Sequence, residues 1–294
     1  MKFDLPARKP FNFHSVVNSH GWRQLAPFSY EESRNTLSYV LRLSNGRVVE
    51  LKFREGANAD GVIVETEKLG KAERREVVDK VTWMFGLDMD FSPFYAASRG
   101  EPKLAQAKKR ALGRVLRSPT LFEDVVKTIL TTNTLWAATR NMTLKLVNEL
   151  GEALQKDITN KAFPAPEAIA ASSPEFLKEK IRVGYRASAI YNLAVQVASG
   201  TFDLESLKTS ELPTPELRKQ LLTINGVGPY AAANLLLIMG RTDFIPIDSW
   251  ALKLVSKEWY DGKPVTPKEV EKHFESWGEF KGLAFWFWDW KYKG

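Results

Sequence analysis

A pair of closely spaced glycines is the first feature of this sequence that could bind a charged ligand. In INGVGPYAAANLLLIMG (224–240), Gly226 and Gly228 interrupt a helical pattern, and Pro229 stands where a second helix would begin. Glycines in such a turn allow positive φ and leave the backbone N–H groups without a side chain in front of them. Because N–H groups at a helix N-terminus attract anions, the turn can bind a phosphate, and a plain corner between two helices is the alternative.

A carboxylate follows this turn at the start of the next helical pattern. Asp248 precedes SWALKLV (249–255), and Pro246 holds the chain extended in front of it. An aspartate in this place is an ordinary helix N-cap, and the helix dipole favours its negative charge. The capping role does not exclude chemistry, since an anionic group near a phosphate-binding turn can stabilise a cationic sugar in a transition state.

Four segments resemble one protein family. INGVGPYAAANLLLIMGRTDFIPIDSWALKLV (224–255) is similar to the helix–hairpin–helix and the Gly/Pro/Asp loop of the DNA glycosylase superfamily, also called HhH-GPD. Three further segments are similar to helices of that superfamily: VGYRASAIYNLA (183–194), LFEDVVKTILTTNTLWAATRNM (121–142) and WGEFKGLAFWFWDW (277–290). The last of them resembles the C-terminal helix of DNA-3-methyladenine glycosylase II, and within the superfamily the chain is nearest to that branch.

This resemblance implies a site and a partner. Asp248 would be the catalytic carboxylate, and the backbone of Gly226, Val227 and Gly228 would bind a DNA phosphate. No cofactor and no metal held by side chains is expected, although a structural Na+ or K+ would fit on the hairpin carbonyls. The partner would be double-stranded DNA that contains a damaged base, and the protein would act as a monomer.

One position distinguishes two mechanisms within the superfamily. In the bifunctional members a lysine two residues after the second hairpin glycine forms a Schiff base with the sugar, and here that residue is Tyr230. Without the amine no imine can form, and the alkylbase glycosylases place an aromatic residue at this position. Tyr230 therefore predicts a monofunctional enzyme that hydrolyses the N-glycosidic bond of alkylated purines, without lyase activity at abasic sites.

Two other functions remain open at this point. The helix containing GYRA (184–187) is shared with the 8-oxoguanine glycosylases, so the damaged base could instead be 8-oxoguanine or a deaminated base. The other alternative is a DNA-binding module that keeps the hairpin without catalysis, which the intact Asp248 argues against.

Aromatic residues supply the candidates for holding an extruded base. Tyr230, Trp286 and Trp288 are predicted to line the base pocket, with Trp286 at the stacking position that the resemblance implies. The run FWFW (285–288) is too wide for one helix face, so some of these side chains are expected to belong to the core.

Two further segments are candidates for contact with the duplex. In TTNTL (131–135), Asn133 or Leu135 would fill the space that the flipped base leaves, and Arg186 is predicted either to bind DNA or to bond helix-end carbonyls. The segment KLAQAKKRALGRVLR (103–117) carries six basic residues and no acid. It is expected to be a solvated face, with DNA contact as the alternative.

The elements that must position these residues begin with β structure. TLSYVLRL (36–43) and RVVELKF (47–53) flank Asn45-Gly46, which is the strongest short-range signal for a β-hairpin. VIVET (62–66) is expected to add a third strand and FNFHSVVNSHGW (11–22) another one.

Helical patterns dominate the rest of the chain. From residue 71 the apolar period becomes helical, and beyond residue 100 all segments are expected to be helices. The prediction is an α+β protein, with a small N-terminal antiparallel β-sheet domain (1–100) that includes a helix. A mostly α-helical HhH-GPD glycosylase domain (101–294) would follow, with the helix–hairpin–helix at about 215–240 and then the catalytic Asp loop.

Composition narrows the function further. A net charge of +7 over 294 residues favours a polyanionic partner. The absence of cysteine excludes disulfides, thiolate metal sites and the iron–sulfur branch of the superfamily. No apolar run approaches the ~20 residues that cross a membrane, and the first residues lack a signal-peptide core. The protein is therefore expected inside the cell, in the cytoplasm or nucleoid, or in the nucleus of a eukaryote.

Overall fold

The computed structural model describes residues 1–57 and 60–288, and contacts divide the chain into two compact units. This grouping differs from the predicted boundary near residue 100, because residues beyond it pack with the sheet. For example, the Tyr39 hydroxyl donates to Glu123 Oε2 at 2.5 Å. The predicted division into two domains stays a prediction. The first unit comprises residues 1–89 and 114–208, and the second comprises residues 90–113 and the chain from 209 onward.

The first unit contains a five-stranded antiparallel sheet, which confirms the predicted N-terminal sheet. The Asn45-Gly46 hairpin forms as expected, with Gly46 at φ +85° and Leu41 opposite Val49. The strand order across the sheet is β1-β5-β4-β3-β2. The strands are β1 Lys2–Pro6, β2 Phe28–Glu31, β3 Thr36–Arg42, β4 Val48–Glu55 and β5 Gly61–Glu65.

Helices make up most of the remaining described residues. Those predicted near residues 71–86, 121–131, 134–150 and 185–200 all form, within a few residues of their expected ends. The helices are α1 Phe13–Val17, α2 Lys71–Phe85, α3 Ser92–Ala97, α4 Leu121–Thr131, α5 Trp136–Leu150, α6 Pro166–Ala170, α7 Pro174–Phe176, α8 Ala187–Ala198, α9 Thr214–Leu222, α10 Pro229–Ile238, α11 Ser249–Trp259, α12 Pro267–Phe274 and α13 Lys281–Phe287.

Two local predictions were wrong. The segment 11–22 contains the short helix α1 instead of a strand, because Asn12 Oδ1 accepts the Ser15 N–H at 2.7 Å and caps it. A second β-hairpin, β6 Ala153–Leu154 and β7 Asp157–Lys161, lies within the part expected to be all helical. It forms because Leu154 packs on the apolar residues of strands β3 and β4.

Charged side chains of α4 lie in the interior of the first unit and have partners there. Lys127 Nζ donates to Glu123 Oε1 at 2.6 Å, and both side chains are buried. Asp124 Oδ1 accepts the Trp22 indole N–H at 2.7 Å. Because a buried charge without a partner is strongly destabilising, these contacts allow the helix to be buried on all sides.

The basic segment 103–117 is not a solvated face over its whole length. Arg114 is buried and donates to the carbonyl oxygens of Gly86 at 2.9 Å and Pro10 at 2.8 Å. Arg117 is buried over the Trp83 ring, and burial lowers its pKa to about 10. Both guanidinium groups therefore stabilise the fold of the first unit, because residues 114–119 are buried in it.

Among the helices of residues 1–57 and 60–288, none is both long and apolar enough to cross a membrane.

Candidate active site

The predicted hairpin connects α9 and α10 in the second unit. The Val227 N–H closes its turn on the Ile224 carbonyl at 3.0 Å, and the Val227 side chain is buried. Gly226 has φ +85°, so the prediction of positive φ is confirmed for this glycine. It is wrong for Gly228, whose φ is −89°, a value open to any residue. A Cβ at Gly228 would meet nothing within 4 Å, so this glycine leaves open space in front of the helix.

The hairpin exposes polar backbone groups at the N-terminus of α10. Within the described part of the chain, neither the Gly226 nor the Gly228 N–H donates to any acceptor, and both residues are exposed. Gly228 is the N-cap of α10, and Pro229 occupies its first turn. Unpaired N–H groups at the positive end of a helix dipole are suited to bind an anion such as a phosphate.

The hairpin carbonyls have the chemistry that a monovalent cation needs. Those of Thr223, Asn225 and Val227 accept no hydrogen bond from the described residues. Among the same residues, no group of three or more His, Asp and Glu side chains is placed to hold a metal ion. The Na+ or K+ expected at the hairpin fits these oxygen atoms and stays a prediction.

A tight C-cap ends α10 and turns the chain toward Asp248. Gly240, at φ +85°, donates to the Leu237 carbonyl at 3.0 Å, and the Arg241 N–H donates to the Leu236 carbonyl at 2.8 Å. This pair of bonds is the Schellman motif, which requires a left-handed residue and therefore favours glycine.

Asp248 is the N-cap of α11, as its position in the sequence predicts. Its Oδ1 accepts the N–H groups of Trp250 and Ala251, each at 2.9 Å. Its Oδ2 accepts no hydrogen bond from the described residues, and the residue is exposed. One oxygen thus fixes the carboxylate, while the other remains available to a ligand.

Helix α13 approaches the loop before Asp248 at a glycine. The Gly282 N–H donates to the Thr242 carbonyl at 2.7 Å. A Cβ at Gly282 would lie 2.5 Å from the carbonyl oxygen of Phe244 and 2.7 Å from that of Thr242. Only glycine allows this approach, which attaches the helix carrying Trp286 directly to the Asp248 loop.

The predicted base-pocket residues differ in their surroundings. Tyr230, in the first turn of α10, and Trp286, on α13, are both half-buried in the second unit. Trp288 is only 8% exposed, and its ring centroid lies 5.3 Å from those of Trp259 and Phe274. These contacts place Trp288 in an aromatic core, and its role in a pocket stays a prediction. Residues 289 and 290 of the segment 277–290 lie outside the described residues.

Sequence reasoning missed Trp250. The residue is 43% exposed, and its ring packs edge-on against Phe285 of α13, with 5.3 Å between the ring centroids. The sequence does contain an indication of this residue, since Trp250 stands two residues after Asp248, in the first turn of the helix that Asp248 caps.

Arg186, predicted to bind DNA or helix-end carbonyls, is buried in the first unit. Its Nε donates to the Ile129 carbonyl and its Nη1 to the Val183 carbonyl, each at 3.2 Å, and its Nη2 donates to the Thr132 carbonyl. Ile129 and Thr132 lie at the C-terminal end of α4. The observed contacts are therefore those of the second predicted role, in which Arg186 bonds helix-end carbonyls.

The loop that Arg186 supports presents the other two candidates. Asn133 is exposed at φ +47°, and its amide nitrogen lies 3.3 Å from the Tyr185 hydroxyl. Leu135, the N-cap residue of α5, is 80% exposed, which is unusual for a leucine. The candidate site residues thus fall into two sets. Asp248, Tyr230, Trp286 and the hairpin belong to the second unit, while Asn133, Leu135 and Arg186 belong to the first.

Comparison with known proteins gives a consistent result. The family model for HhH-GPD superfamily base excision DNA repair proteins matches residues 126–280. The DNA-3-methyladenine glycosylase of Bacillus subtilis (strain 168) is 26% identical over 272 residues, which cover 88% of this chain and 87% of the relative. The structure of a 3-methyladenine DNA-glycosylase from Archaeoglobus fulgidus superposes with a TM-score of 0.76 at 21% identity, over 97% of each chain, and indicates the same fold. The structure of MBOgg1 with a low-affinity DNA ligand superposes with a TM-score of 0.73 at 28% identity, over 98% of this chain and 94% of that chain.

Proposed function

Because this chain belongs to the HhH-GPD superfamily of base excision DNA repair proteins, we propose that it is a monofunctional DNA N-glycosylase. The enzyme flips a damaged nucleotide out of the duplex and hydrolyses the N-glycosidic bond of alkylated purines such as 3-methyladenine and 7-methylguanine. DNA glycosylase activity is supported by the family and by the name of the Bacillus subtilis relative. The preference for alkylated purines and the lack of a lyase step are the finer parts of the proposal.

The observation that carries this proposal is that the two oxygen atoms of the Asp248 carboxylate have different partners. Oδ1 is held by two backbone N–H groups, whereas Oδ2 is available. A fixed anionic oxygen can stabilise the positive charge that develops on the sugar as the bond breaks, and it can orient the attacking water. Since an alkylated purine already carries a positive charge and leaves readily, the reaction needs no strong general acid.

The residue at position 230 supports hydrolysis without a covalent intermediate. Tyr230 stands in the first turn of α10, where the bifunctional members of the superfamily carry a lysine. A phenol cannot form an imine with the sugar, so the route to strand cleavage through a Schiff base is absent at this position.

Tyr230 and Trp286 support the preference for cationic bases. Both are half-buried aromatic residues of the second unit. An aromatic ring attracts positive charge through its quadrupole, worth ~0.5–2 kcal/mol when the cation lies over the ring face. A methylated purine would gain this energy, whereas a neutral oxidised purine would not.

The remaining candidate residues support binding of the duplex. The exposed N–H groups of Gly226 and Gly228 would bind a phosphate near the damaged nucleotide. Leu135, with Asn133 beside it, would occupy the space that the flipped base leaves, because a large exposed apolar side chain at a helix start can enter the base stack.

Release of free bases tests this proposal. Duplexes containing 7-methylguanine, 3-methyladenine, hypoxanthine, uracil or 8-oxoguanine are incubated with the protein, and the released bases are measured by mass spectrometry. We expect the methylated purines to be released fastest. Release of 8-oxoguanine without release of methylated purines would replace the substrate assignment, and binding without any release would leave only a DNA-binding module.

Reduction with borohydride tests the absence of a lyase step. No covalent protein–DNA adduct should form on damaged duplex during turnover. Tyr230→Lys serves as the positive control, because it places an amine where the bifunctional members carry one. An adduct with the unmodified protein would show that another amine attacks the sugar and would refute the monofunctional assignment.

A further inference from the structure

Trp250 connects the two elements that carry the candidate catalytic and stacking residues. Its backbone N–H donates to Asp248 Oδ1 at 2.9 Å, which ties the residue to the carboxylate. Its ring meets Phe285 of α13 edge-on, with 66° between the ring planes. Phe285 is fully buried and directly precedes Trp286 on that helix.

The exposure of this indole is not explained by packing alone. Within the described part of the chain, Phe285 is the only ring that contacts Trp250, and 43% of the residue is exposed. A second exposed tryptophan, Trp259, stands at the other end of the same helix and is 37% exposed. Trp259 stacks on His273 with 4.6 Å between the ring centroids and also packs on Phe274 and Trp288, so the fold itself uses its ring.

We propose that Trp250 is a substrate-contacting residue that forms an aromatic wall beside Asp248 and packs against the sugar of the extruded nucleotide. This inference rests on the proposed glycosylase function. Two physical effects support it. A large apolar ring excludes water near the carboxylate, which strengthens its attraction for a positive charge. The ring quadrupole also attracts the positive charge that develops on the sugar during bond cleavage.

Pre-organisation makes Trp250 suitable for this role. Its backbone is held by the N-cap bond and one edge contact of its ring is made with Phe285, so part of its conformational freedom is already lost before the substrate binds. The interaction would strengthen as charge develops, and it would therefore act on the cleavage step more than on binding.

Substitutions at the two ends of α11 test the inference. Trp250→Phe, Trp250→Leu and Trp250→Ala are compared with Trp259→Phe, which alters an exposed indole about 13 Å further along the helix. Single-turnover rate constants for release of 7-methylguanine are measured with enzyme in excess. The Kd for a duplex with an abasic-site analogue and the melting temperature are measured alongside.

The expected rates of the Trp250 variants distinguish a need for an aromatic ring from a need for a large side chain. Trp250→Phe should keep most of the rate, whereas Trp250→Leu and Trp250→Ala should be slower by about three- to thirtyfold. Their Kd should change much less, and Trp259→Phe should cleave at the rate of the unmodified protein. If the alanine variant does not fold, the comparison of phenylalanine with leucine carries the same information.

Three outcomes would overturn the inference. Equal rates for the phenylalanine and leucine variants would show that no aromatic ring is needed, and unchanged rates in all variants would show no contact in the reaction. A loss confined to Kd would make Trp250 a contact to the duplex surface. Failure of the proposed function is distinct, because it would appear as an inactive unmodified protein.

Discussion

At the scale of single residues, the two oxygen atoms of the Asp248 carboxylate differ in their partners. Oδ1 caps α11 and Oδ2 is left to a ligand, so the bonds that start the helix also orient the oxygen that we propose to act on the sugar. Trp250 contributes to the same arrangement, because its backbone N–H donates to the carboxylate and its ring packs against Phe285 of α13. Substitutions that keep the cap and remove the charge can therefore separate folding from chemistry.

Asp248→Asn should abolish base release and leave the fold and the DNA affinity nearly unchanged. Asparagine is an equally good N-cap, so the helix start is preserved, whereas the negative charge that we propose to stabilise the sugar is lost. We expect single-turnover release to fall by at least about 10²–10³-fold. Asp243→Asn removes the same charge from the same loop and is the matched control. Near-normal release by Asp248→Asn would remove Asp248 from the mechanism.

Trp286→Ala should impair the release of charged bases more than the release of neutral ones. If the ring lies over a cationic base, its loss costs ~0.5–2 kcal/mol for 7-methylguanine and less for hypoxanthine, which carries no charge. The ratio of the two single-turnover rates measures this difference within one variant, so a general loss of stability cancels. An unchanged ratio would leave Trp286 as a residue of the core or a general stacking surface.

At the scale of elements, two glycines of the hairpin have separate reasons to be glycine. Gly226 needs a left-handed backbone, at φ +85°, whereas Gly228 has an ordinary φ and leaves open space in front of α10. Gly282 has a third reason, since a Cβ there would collide with the carbonyls of Phe244 and Thr242. Each reason predicts a different result for the same substitution by alanine.

Gly226→Ala and Gly228→Ala should separate folding from binding. A left-handed alanine costs ~1–2 kcal/mol, so Gly226→Ala should lower the melting temperature. Gly228→Ala should melt close to the unmodified protein, but its methyl group would enter the space of a bound phosphate and weaken DNA affinity. Thermal melts and titrations with duplex at fixed salt measure both effects. Unchanged affinity of a folded Gly228→Ala variant would contradict phosphate binding at the hairpin.

Gly282→Ala should displace α13 from the loop before Asp248. The added methyl group must move two backbone carbonyls, and overpacking of this kind costs ~1–3 kcal/mol. We expect lower thermal stability together with slower base release. Gly70→Ala is the matched control, because a Cβ there meets only Glu73 Oε2 at an ordinary 3.5 Å. If Gly282→Ala melts and cleaves like Gly70→Ala, the close approach of α13 is not required.

At the scale of the whole molecule, some of the basic side chains are buried inside the fold. Arg114, Arg117 and Arg186 are buried and donate to backbone carbonyls or stack on a ring, so they do not add to an exposed positive surface. The interior of the first unit also holds His20 and Asp124. Burial disfavours the charged form of each, and the consequences for stability have opposite signs.

Stability between pH 4 and 7 should show two opposing contributions. Burial lowers the pKa of His20 to about 4, so its contribution is complete above pH 6.5 and is lost as the pH falls toward 4. Burial raises the pKa of Asp124 to about 6, so its contribution is present at low pH and is lost as the pH rises through 6. The two contributions are each of the order of 3 kcal/mol and largely cancel in the unmodified protein.

Removing either group should expose the other contribution. Relative to the unmodified protein, Asp124→Asn should gain stability as the pH rises from 4.5 to 7, because only the unmodified protein loses the contribution of Asp124 over this range. His20→Asn should lose relative stability over the same range. Urea unfolding midpoints at both pH values measure the slopes, and parallel slopes for the two variants would contradict the assignment.

The features that could be predicted from the sequence are those that depend on neighbouring residues. The β3–β4 hairpin, the start of α10 at Pro229, the C-cap at Gly240 and the N-cap at Asp248 each follow from a few adjacent residues with specific backbone preferences. Because such preferences act locally, they can be recognised in the sequence without knowledge of the tertiary surroundings. The family resemblance used the same local motifs, and the comparisons confirmed it.

Contacts between side chains that are distant in the sequence could be read only from the folded protein. The sequence left Arg186 between DNA and helix-end carbonyls, it placed Arg114 on a solvated face, and it gave no role to Trp250. The contacts of Arg186 with the end of α4, of Arg114 with Gly86, and of Trp250 with Phe285 join residues 28 to 57 positions apart. Whether a charged or aromatic side chain is buried or left to a ligand depends on such long-range packing, which no local pattern encodes.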